Sequence, residues 1–175
     1  RRTLARVFQN FGPNDRGLCW LPLSNLFQRV FNLVAMERNV PFHYLANPRD
    51  VMTALRQVKP TLLIGVPRFF EKGRQGVLSH LPRILGGVLI GAVAFSRKLR
   101  SSRPPGKKVG APKKMVLAVL DVLLFRWVRQ IWGGRLRLVV SGSAPCSPEV
   151  LGFFEAIGMP IHESYGVSEN MLPIA

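Results

Sequence analysis

The apolar run Thr61-Leu-Leu-Ile-Gly-Val66 is the sequence feature that most restricts how this chain can fold. Pro60 and Pro67 bound the run, so it is too short for a core helix and has the length of a single strand. A continuous apolar run of this kind is typical of a strand that is buried on both faces. Such strands occur where helices cover both sides of a parallel sheet, and we therefore expect that environment here.

Helices and strands alternate on both sides of this run. Ser24 is a suitable N-cap for a helix over residues 24–35, and Asn47 followed by Pro48 is a suitable start for a helix over residues 49–58. The other predicted elements are strands over residues 16–21, 40–45, 136–140 and 160–163, a loop over 141–145 and a helix over 147–157. The pattern predicts an α/β fold, a mostly parallel sheet covered by helices.

Residues 67–132 break the alternation, because they favour helix with little strand. Residues 84–95 are apolar but fall short of the roughly 20 residues that a membrane-spanning helix needs. Residues 97–114 hold eight Lys or Arg and no acidic residue, and their prolines and glycines predict an exposed connector. Residues 115–132 predict a second apolar helix, which must pack on protein or on lipid.

The composition restricts the partners. The 175 residues carry a formal net charge of +16 together with 47% hydrophobic residues, so anionic partners are expected. Nucleic acid is not favoured, because the aromatic residues near the basic segment lie inside an apolar helix. Cys19 and Cys146 form no disulfide framework, which indicates a reducing compartment, and the three histidines show no zinc-ligand spacing.

Two short stretches near the end of the chain carry the chemistry. The small residues of Ser-Gly-Ser-Ala-Pro, residues 141–145, would let a flat ligand approach the backbone. Downstream, Tyr165 offers a ring for stacking, Ser168 a hydroxyl for a phosphate and Glu169 a hard oxygen ligand for Mg²⁺. These residues suit a nucleoside phosphate, although an ordinary strand-loop-helix corner followed by a polar turn has a similar composition.

Four stretches in order resemble one known family. They are Leu-Pro-Leu-Ser-Asn-Leu-Phe-Gln-Arg, residues 21–29; the segment from Lys59 to Lys72 with Val-Pro-Arg-Phe-Phe-Glu-Lys; Gly-Gly-Arg-Leu-Arg-Leu-Val-Val-Ser-Gly-Ser-Ala-Pro, from residue 133; and His-Glu-Ser-Tyr-Gly-Val-Ser-Glu, residues 162–169. Together they resemble the adenylate-forming (AMP-binding) superfamily, and within it the long-chain fatty-acyl-CoA synthetases.

The resemblance implies an ATP-dependent ligase whose partners are a fatty acid, ATP and CoA, with Mg²⁺ as the metal. Such an enzyme activates a fatty carboxylate as acyl-AMP and then transfers the acyl group to CoA. The fold implied is part of the large N-terminal domain of an adenylate-forming enzyme. A cytoplasmic location, with peripheral contact to an anionic membrane, would suit this activity, and the oligomeric state is open.

The resemblance also implies a role for individual residues. Asn25 would contact the acyl substrate, Ser168 the α-phosphate, and Glu169 would ligate Mg²⁺, which makes Ser168 and Glu169 the catalytic pair. The nucleotide-binding residues would be Ser143, Ala144, Pro145, Glu163, Ser164, Tyr165, Gly166 and Ser168. Three positions depart from the family pattern, since Asn25 replaces the usual His, Gln28 a Glu, and Ser164 a common Gly.

The resemblance further predicts that this chain is an internal segment of one AMP-binding domain. Residues 1–72 and 133–175 would be its two β/α parts, and residues 73–132 a helical, basic elaboration. The family's phosphate loop with its Lys would precede residue 1, and the ribose-binding Asp and catalytic Lys would follow residue 175. The segment alone is therefore expected to be inactive.

Two other functions compete with the ligase. A serine hydrolase would use Ser143 with His162 and Glu163, but Ser143 lacks the Gly-x-Ser-x-Gly surroundings of such nucleophiles. A degenerate homologue could instead act as a membrane-surface segment, because residues 97–114 lie between apolar helices and each basic residue near an anionic bilayer contributes about 1 kcal/mol.

Overall fold

The computed structural model describes residues 11–101 and 111–164. Its centre is a parallel sheet of five strands in the order β2-β1-β3-β4-β5, with all four neighbouring pairs parallel. The strands are β1 (Gly17–Cys19), β2 (Phe42–Tyr44), β3 (Leu62–Gly65), β4 (Leu138–Ser141) and β5 (Ile161–Glu163). The predicted α/β fold with a parallel sheet is confirmed.

The helices lie between these strands. They are α1 (Leu26–Glu37), α2 (Val51–Val58), α3 (Pro67–Ser79), α4 (Arg83–Ser101), α5 (Ala111–Leu120), α6 (Arg126–Ile131) and α7 (Pro148–Ala156). A 3₁₀ turn, Pro48–Asp50, precedes α2, and a π-helical segment, Asp121–Phe125, joins α5 to α6 without a break. Within the described residues no helix combines the length and hydrophobicity needed to cross a bilayer.

Several predicted boundaries were wrong. The second apolar helix begins at Ala111 and not at residue 115, so residues 111–114 are helical and not part of a connector. Helix α1 begins at Leu26, and its N-cap is Asn25 and not Ser24, because Asn25 Oδ1 accepts a hydrogen bond from the Gln28 amide at 3.1 Å. Residues 97–101 continue α4 and are not a connector, since no Pro or Gly interrupts the helix before Pro104. Ser141 belongs to β4 and not to the loop, because it pairs with residues of both neighbouring strands.

The sheet is covered on both faces. Leu62 and Ile64 of β3 point to a core that includes Phe31 and Ala35 of α1. Leu63, between them, points to the larger core on the opposite face, which α2, α3, α4, α6 and α7 cover. All four residues of β3 are buried, as the apolar run around them predicts.

Trp132 anchors the larger core. Its side chain is fully buried, and its ring lies 5.4 Å from the Phe69 ring, 6.2 Å from the Phe70 ring and 5.0 Å from the Phe154 ring, measured between centroids. These rings come from α3 and α7, so Trp132 joins two covering helices to the end of α6.

Arg129 fastens the π-helical segment to α7. Its guanidinium donates to both carboxylate oxygens of Asp121, at 2.6 and 2.8 Å, and to the carbonyl oxygen of Ile157 at 2.7 Å. The hydrogen bond with Asp121 holds the pKa of Arg129 above its ordinary value, although burial acts in the opposite direction. The bidentate pair with Asp121 and the bond to Ile157 together hold the π-helical segment and α6 at the end of α7.

Two glycines of α3 test this packing. A Cβ at Gly73 would collide with the Trp132 ring, whereas a Cβ at Gly76 would meet nothing within 4 Å. We expect Gly73→Ala to lower the free energy of unfolding by about 1–3 kcal/mol, because the enclosed ring cannot move aside. Gly76→Ala, the control, should raise it by about 0.5–1 kcal/mol through helix propensity. Urea unfolding measures both, and equal effects would contradict the proposed role of Trp132.

Candidate functional site

The carboxyl ends of β4 and β5 form one corner of the sheet, where the sequence predicts a nucleotide site. Ser141 pairs with Glu163, and the Ser164 amide donates to the Ser141 carbonyl at 2.8 Å. The Glu163 carboxylate also accepts a hydrogen bond from the Cys146 amide at 2.8 Å. The loop after β4 and the end of β5 are therefore held together, as expected of two loops at strand ends.

The loop after β4 presents small residues to solvent. Ser143, Ala144 and Pro145 are all exposed, and Ser143 has a φ of 73°, in the left-handed region that only a small fraction of non-glycine residues adopt. Holding a serine in this conformation costs about 1–2 kcal/mol, and such strain is found preferentially at functional sites. Beside the loop, the hydroxyl of Ser141 is buried and has no hydrogen-bond partner among the described residues.

The first turn of α1 packs against the same loop. A Cβ at Gly142 would lie 2.9 Å from Cε1 of Phe27, so only glycine lets the Phe27 ring approach so closely. Asn25, two residues before Phe27, is half-buried, and its Oδ1 is engaged in capping α1. The structure thus brings the helix end that carries Asn25 to the loop that carries Ser143.

Gln28 orients the side chain that joins α1 to the sheet. It is fully buried, and its Nε2 donates to Asn32 Oδ1 at 2.7 Å, while Asn32 Nδ2 donates to the Cys19 sulfur at 3.3 Å. The bond to Asn32 needs a donor at position 28, which an amide supplies and an ionised carboxylate does not, while the buried Gln28 Oε1 has no partner among the described residues. Gln28, one of the departures from the family pattern, therefore holds a structural position below Asn25.

The structure locates only part of the predicted set. Ser143, Ala144, Pro145, Glu163 and Ser164 lie at this corner, and Asn25 lies on the helix that packs against it. Tyr165, Gly166, Ser168 and Glu169 fall outside the described residues. The contacts of Glu163 with Cys146 and of Phe27 with Gly142 were not predicted, because both join residues that are distant in the chain and no local pattern marks them.

Cys146 is a protected thiol within this corner. Burial raises its pKa, and the negative charges of Glu163 and Glu71 raise it further. Because the thiolate is the reactive form, these effects keep Cys146 protonated and unreactive near neutral pH. Cys146 therefore contributes packing and its backbone amide to the corner, and its sulfur is not a nucleophile.

A groove of 880 Å³ opens at the same edge of the sheet. Trp20 follows β1, Pro48 follows β2 and Val66 follows β3, so the carboxyl ends of three parallel strands surround it. Its other apolar lining includes Met52, Phe69, Val77, Trp127 and Ile131, and its basic lining consists of Arg49, Arg56, Arg68, Lys72 and His80. Among the residues that the structure describes, no Asp or Glu lines it. The groove cannot be predicted from the sequence of β1 or of α3 alone, because several elements form it. Arg68 and Lys72, one helical turn apart on α3, do indicate a basic surface there.

The hydrolase arrangement finds no support in the described part of the chain. There, no hydrogen bond joins Ser143 to His162 or Glu163, and the Glu163 carboxylate accepts from the Cys146 amide instead. Over residues 11–101 and 111–164, no three His, Cys, Asp or Glu side chains are grouped closely enough to hold a metal ion.

Open parallel α/β sheets bind their ligands at the carboxyl ends of the strands, and the small-residue loop after β4 lies at that edge. The family profile described as AMP-binding enzyme matches residues 2–175, nearly the whole chain, and the chain belongs to this family of adenylate-forming enzymes.

The chain is similar to curated fatty-acid ligases over most of its length. It is 29% identical over 161 residues to the long-chain-fatty-acid–CoA ligase FadD15 of Mycobacterium bovis, covering 89% of this chain and 26% of that protein. It is 28% identical over 173 residues to long-chain-fatty-acid–CoA ligase 2 of Schizosaccharomyces pombe, covering 93% of this chain and 24% of that protein. The chain thus spans about a quarter of the length of these relatives.

Solved structures agree on the fold. The A domain of a carboxylic acid reductase from Segniliparus rugosus, in complex with AMP and a co-purified carboxylic acid, superposes with a TM-score of 0.53 at 21% identity, covering 92% of this chain and 22% of that one. The N-terminal domain of FACL13 from Mycobacterium tuberculosis gives a TM-score of 0.54 at 13% identity, covering 93% of this chain and 29% of that one.

Substitutions at Glu163 separate its hydrogen bond from its charge. Glu163→Ala leaves the Cys146 amide without its acceptor and should lower the free energy of unfolding by about 1 kcal/mol, whereas Glu163→Gln keeps an acceptor and should change it little. Both variants remove a negative charge, so both should lower the pKa of Cys146. Urea unfolding and the pH dependence of alkylation by iodoacetamide measure the two effects. Equal stability of both variants would contradict the role of the hydrogen bond.

Proposed function

We propose that the protein containing this chain is an ATP-dependent long-chain fatty acid–CoA ligase. It would activate the carboxylate as acyl-AMP with release of pyrophosphate, and the CoA thiolate would then displace AMP. The observation that carries the proposal is that the small-residue loop and an apolar, basic-lined groove share one edge of the sheet in a member of the AMP-binding enzyme family.

The loop after β4 suits the adenine. Ser143, Ala144 and Pro145 are exposed and offer a flat surface with accessible backbone groups. The buried Ser141 hydroxyl, which has no partner among the described residues, adds unused hydrogen-bonding capacity next to this surface. By the family resemblance, Tyr165 would stack on the base, and Glu163, Ser164 and Gly166 would lie beside it.

The groove suits a fatty carboxylate. An acyl chain would lie on apolar side chains such as Trp20, Phe69 and Val77, and Arg68 and Lys72 would attract the carboxylate. A volume of 880 Å³ lies in the upper part of the range of about 300–1,000 Å³ that small-molecule sites occupy. The groove therefore favours a long acid over a short one.

The phosphate chemistry is assigned to residues that follow β5. Ser168 would contact the α-phosphate, and Glu169 would ligate Mg²⁺, which when bound neutralises charge on the phosphates as pyrophosphate leaves. Glu163 would keep the loop in place through the Cys146 amide, so that the base and the phosphates are presented together.

Asn25 would be the side chain nearest to the transferring carboxylate on the α1 side. Its Oδ1 caps α1, which leaves its amide nitrogen as the group that could donate to substrate oxygen. An amide is a neutral donor, whereas a histidine can be a cation, so the developing charge would be stabilised less.

ATP–pyrophosphate exchange in the full-length protein, with a long-chain fatty acid, tests the assignment of Glu169 and Asn25. Glu169→Gln should lower exchange by about 100-fold, because the amide is a poorer Mg²⁺ ligand. Asn25→His should raise it several-fold. Glu155→Gln, at an exposed position near the end of α7, is the control and should have parental activity. Unchanged exchange in Glu169→Gln would refute adenylation at this site.

Chain-length preference tests the groove. Gly76 lines the groove, and a Cβ added there would meet nothing within 4 Å. Gly76→Phe should therefore fill part of the groove and leave the fold intact. We expect exchange with palmitate to fall about ten-fold relative to exchange with octanoate, because the longer chain no longer fits. Gly87→Phe, at an equally open position on α4 that does not line the groove, serves as the control. The same loss for both acids would exclude the groove as the acyl site.

A further inference from the structure

Helices α4 and α5, which contact each other, expose an apolar face. Between Leu85 and Phe95 every exposed residue of α4 is Leu, Gly, Val, Ile, Ala or Phe, so this stretch shows no polar or charged side chain to solvent. We use the name apolar face for six exposed side chains on α4, α5 and the π-helical segment: Val88, Ile90, Phe95, Met115, Val122 and Leu123.

This exposure is unusual for a helix that is packed on a core. The opposite side of α4, with Leu89, Ala92 and Val93, is buried against the rest of the fold. Helix α4 is therefore apolar around its whole circumference from Leu85 to Phe95, a pattern that is normally found where both sides are covered. Single exposed apolar residues are common on proteins, but a stretch of helix that exposes only apolar residues, as α4 does from Leu85 to Phe95, indicates an interaction surface.

The fold holds the apolar face in a fixed orientation. Arg97, at the end of α4, lies over α7, where a Cβ on Gly152 would come within 2.6 Å of the Arg97 Nε. The π-helical segment is tied to the end of α7 through Arg129, which binds both Asp121 and the Ile157 carbonyl. Helix α4 and the π-helical segment that continues α5 are thus anchored from the side that faces α7.

The charge of the two helices is entirely basic. Neither α4 nor α5 contains Asp or Glu. In the sequence, Arg97, Lys98 and Arg100 fall in the last turns of α4, and Lys113 and Lys114 in the first turn of α5, so every charged residue of the two helices except Arg83 is placed at these two helix ends. Apolar side chains next to a basic cluster are typical of helices that lie in the interface of an anionic membrane.

We infer that the apolar face docks on the surface of a bilayer containing anionic phospholipids. A second copy of the chain is a poor partner, because two basic helix pairs would repel each other. Nucleic acid is also a poor partner, because Phe95 is the one aromatic side chain among the six of the apolar face and the other five offer no ring on which a base could stack. No helix of the described residues can span the bilayer, so the contact is one of the membrane surface. The inference does not depend on the proposed ligase activity.

Flotation of the full-length protein with phospholipid vesicles tests this inference, without nucleotide or fatty acid. The apolar-face variant carries Met115→Gln and Leu123→Gln, at positions that are 72% and 69% exposed. The matched control carries Leu33→Gln and Met36→Gln on α1, at positions that are 65% and 63% exposed. The two variants make the same chemical change on different surfaces.

We expect the parent to bind vesicles of phosphatidylcholine with phosphatidylserine, and to bind pure phosphatidylcholine at least about ten-fold less. Binding should weaken with salt. The apolar-face variant should lose about ten-fold in binding, and the control should stay near the parent. Equal binding to both vesicle types, or equal loss in both variants, would overturn the inference. A lower melting temperature in the apolar-face variant alone would also overturn it, because the face would then be covered by another part of the protein.

Discussion

The pairing of β3 with β4 is the constraint on which the rest of the structure depends. Both strands are buried over their whole length, so their backbone groups cannot bind water and must bind a neighbouring strand. Residues 62–65 therefore pair with residues 138–141, although more than 70 residues separate them in the chain. This pairing places Val66, on the wall of the groove, next to Gly142, whose amide donates to the Gly65 carbonyl at 3.2 Å. The loop and the groove share an edge for this reason.

The long helical segment between the two strands must return the chain to the sheet, and Trp132 is where it does so. Directly after Trp132, Gly133 and Gly134 both adopt positive φ, 90° and 72°, which turns the chain toward β4. A Cβ at Gly133 would lie 2.5 Å from the Leu55 carbonyl oxygen, so a larger residue could not make this turn against α2. Trp132, at the centre of the aromatic core, is therefore followed directly by the two glycines that turn the chain toward β4.

Local sequence predicted the elements better than it predicted their contacts. The strand within residues 61–66 and the helix start at Asn47 and Pro48 follow from residue type and period. The structure has β3 at Leu62–Gly65, and Asn47 caps the 3₁₀ turn that leads into α2. The choice between Ser24 and Asn25 as the cap of α1 does not follow in this way, because both residue types cap well. The buried contacts of Gln28 with Asn32, and of Asn32 with Cys19, set the register of that helix. The groove and the contact between Glu163 and Cys146 likewise depend on which strands become neighbours, and no short pattern encodes that.

The distribution of basic and apolar residues connects the two proposals. Helix α5, the π-helical segment and α6 form one continuous helical run over residues 111–131. Leu123 of this run belongs to the apolar face, and Trp127, one turn further on, lines the groove. Four residues of helix span about 6 Å, so the proposed membrane-binding surface at Leu123 and the proposed acyl-binding groove at Trp127 would be neighbours on one helical run. Fatty acids partition into membranes. If both proposals hold, a fatty acid that leaves an anionic bilayer at the apolar face would reach the Arg and Lys side chains of the groove after a short path.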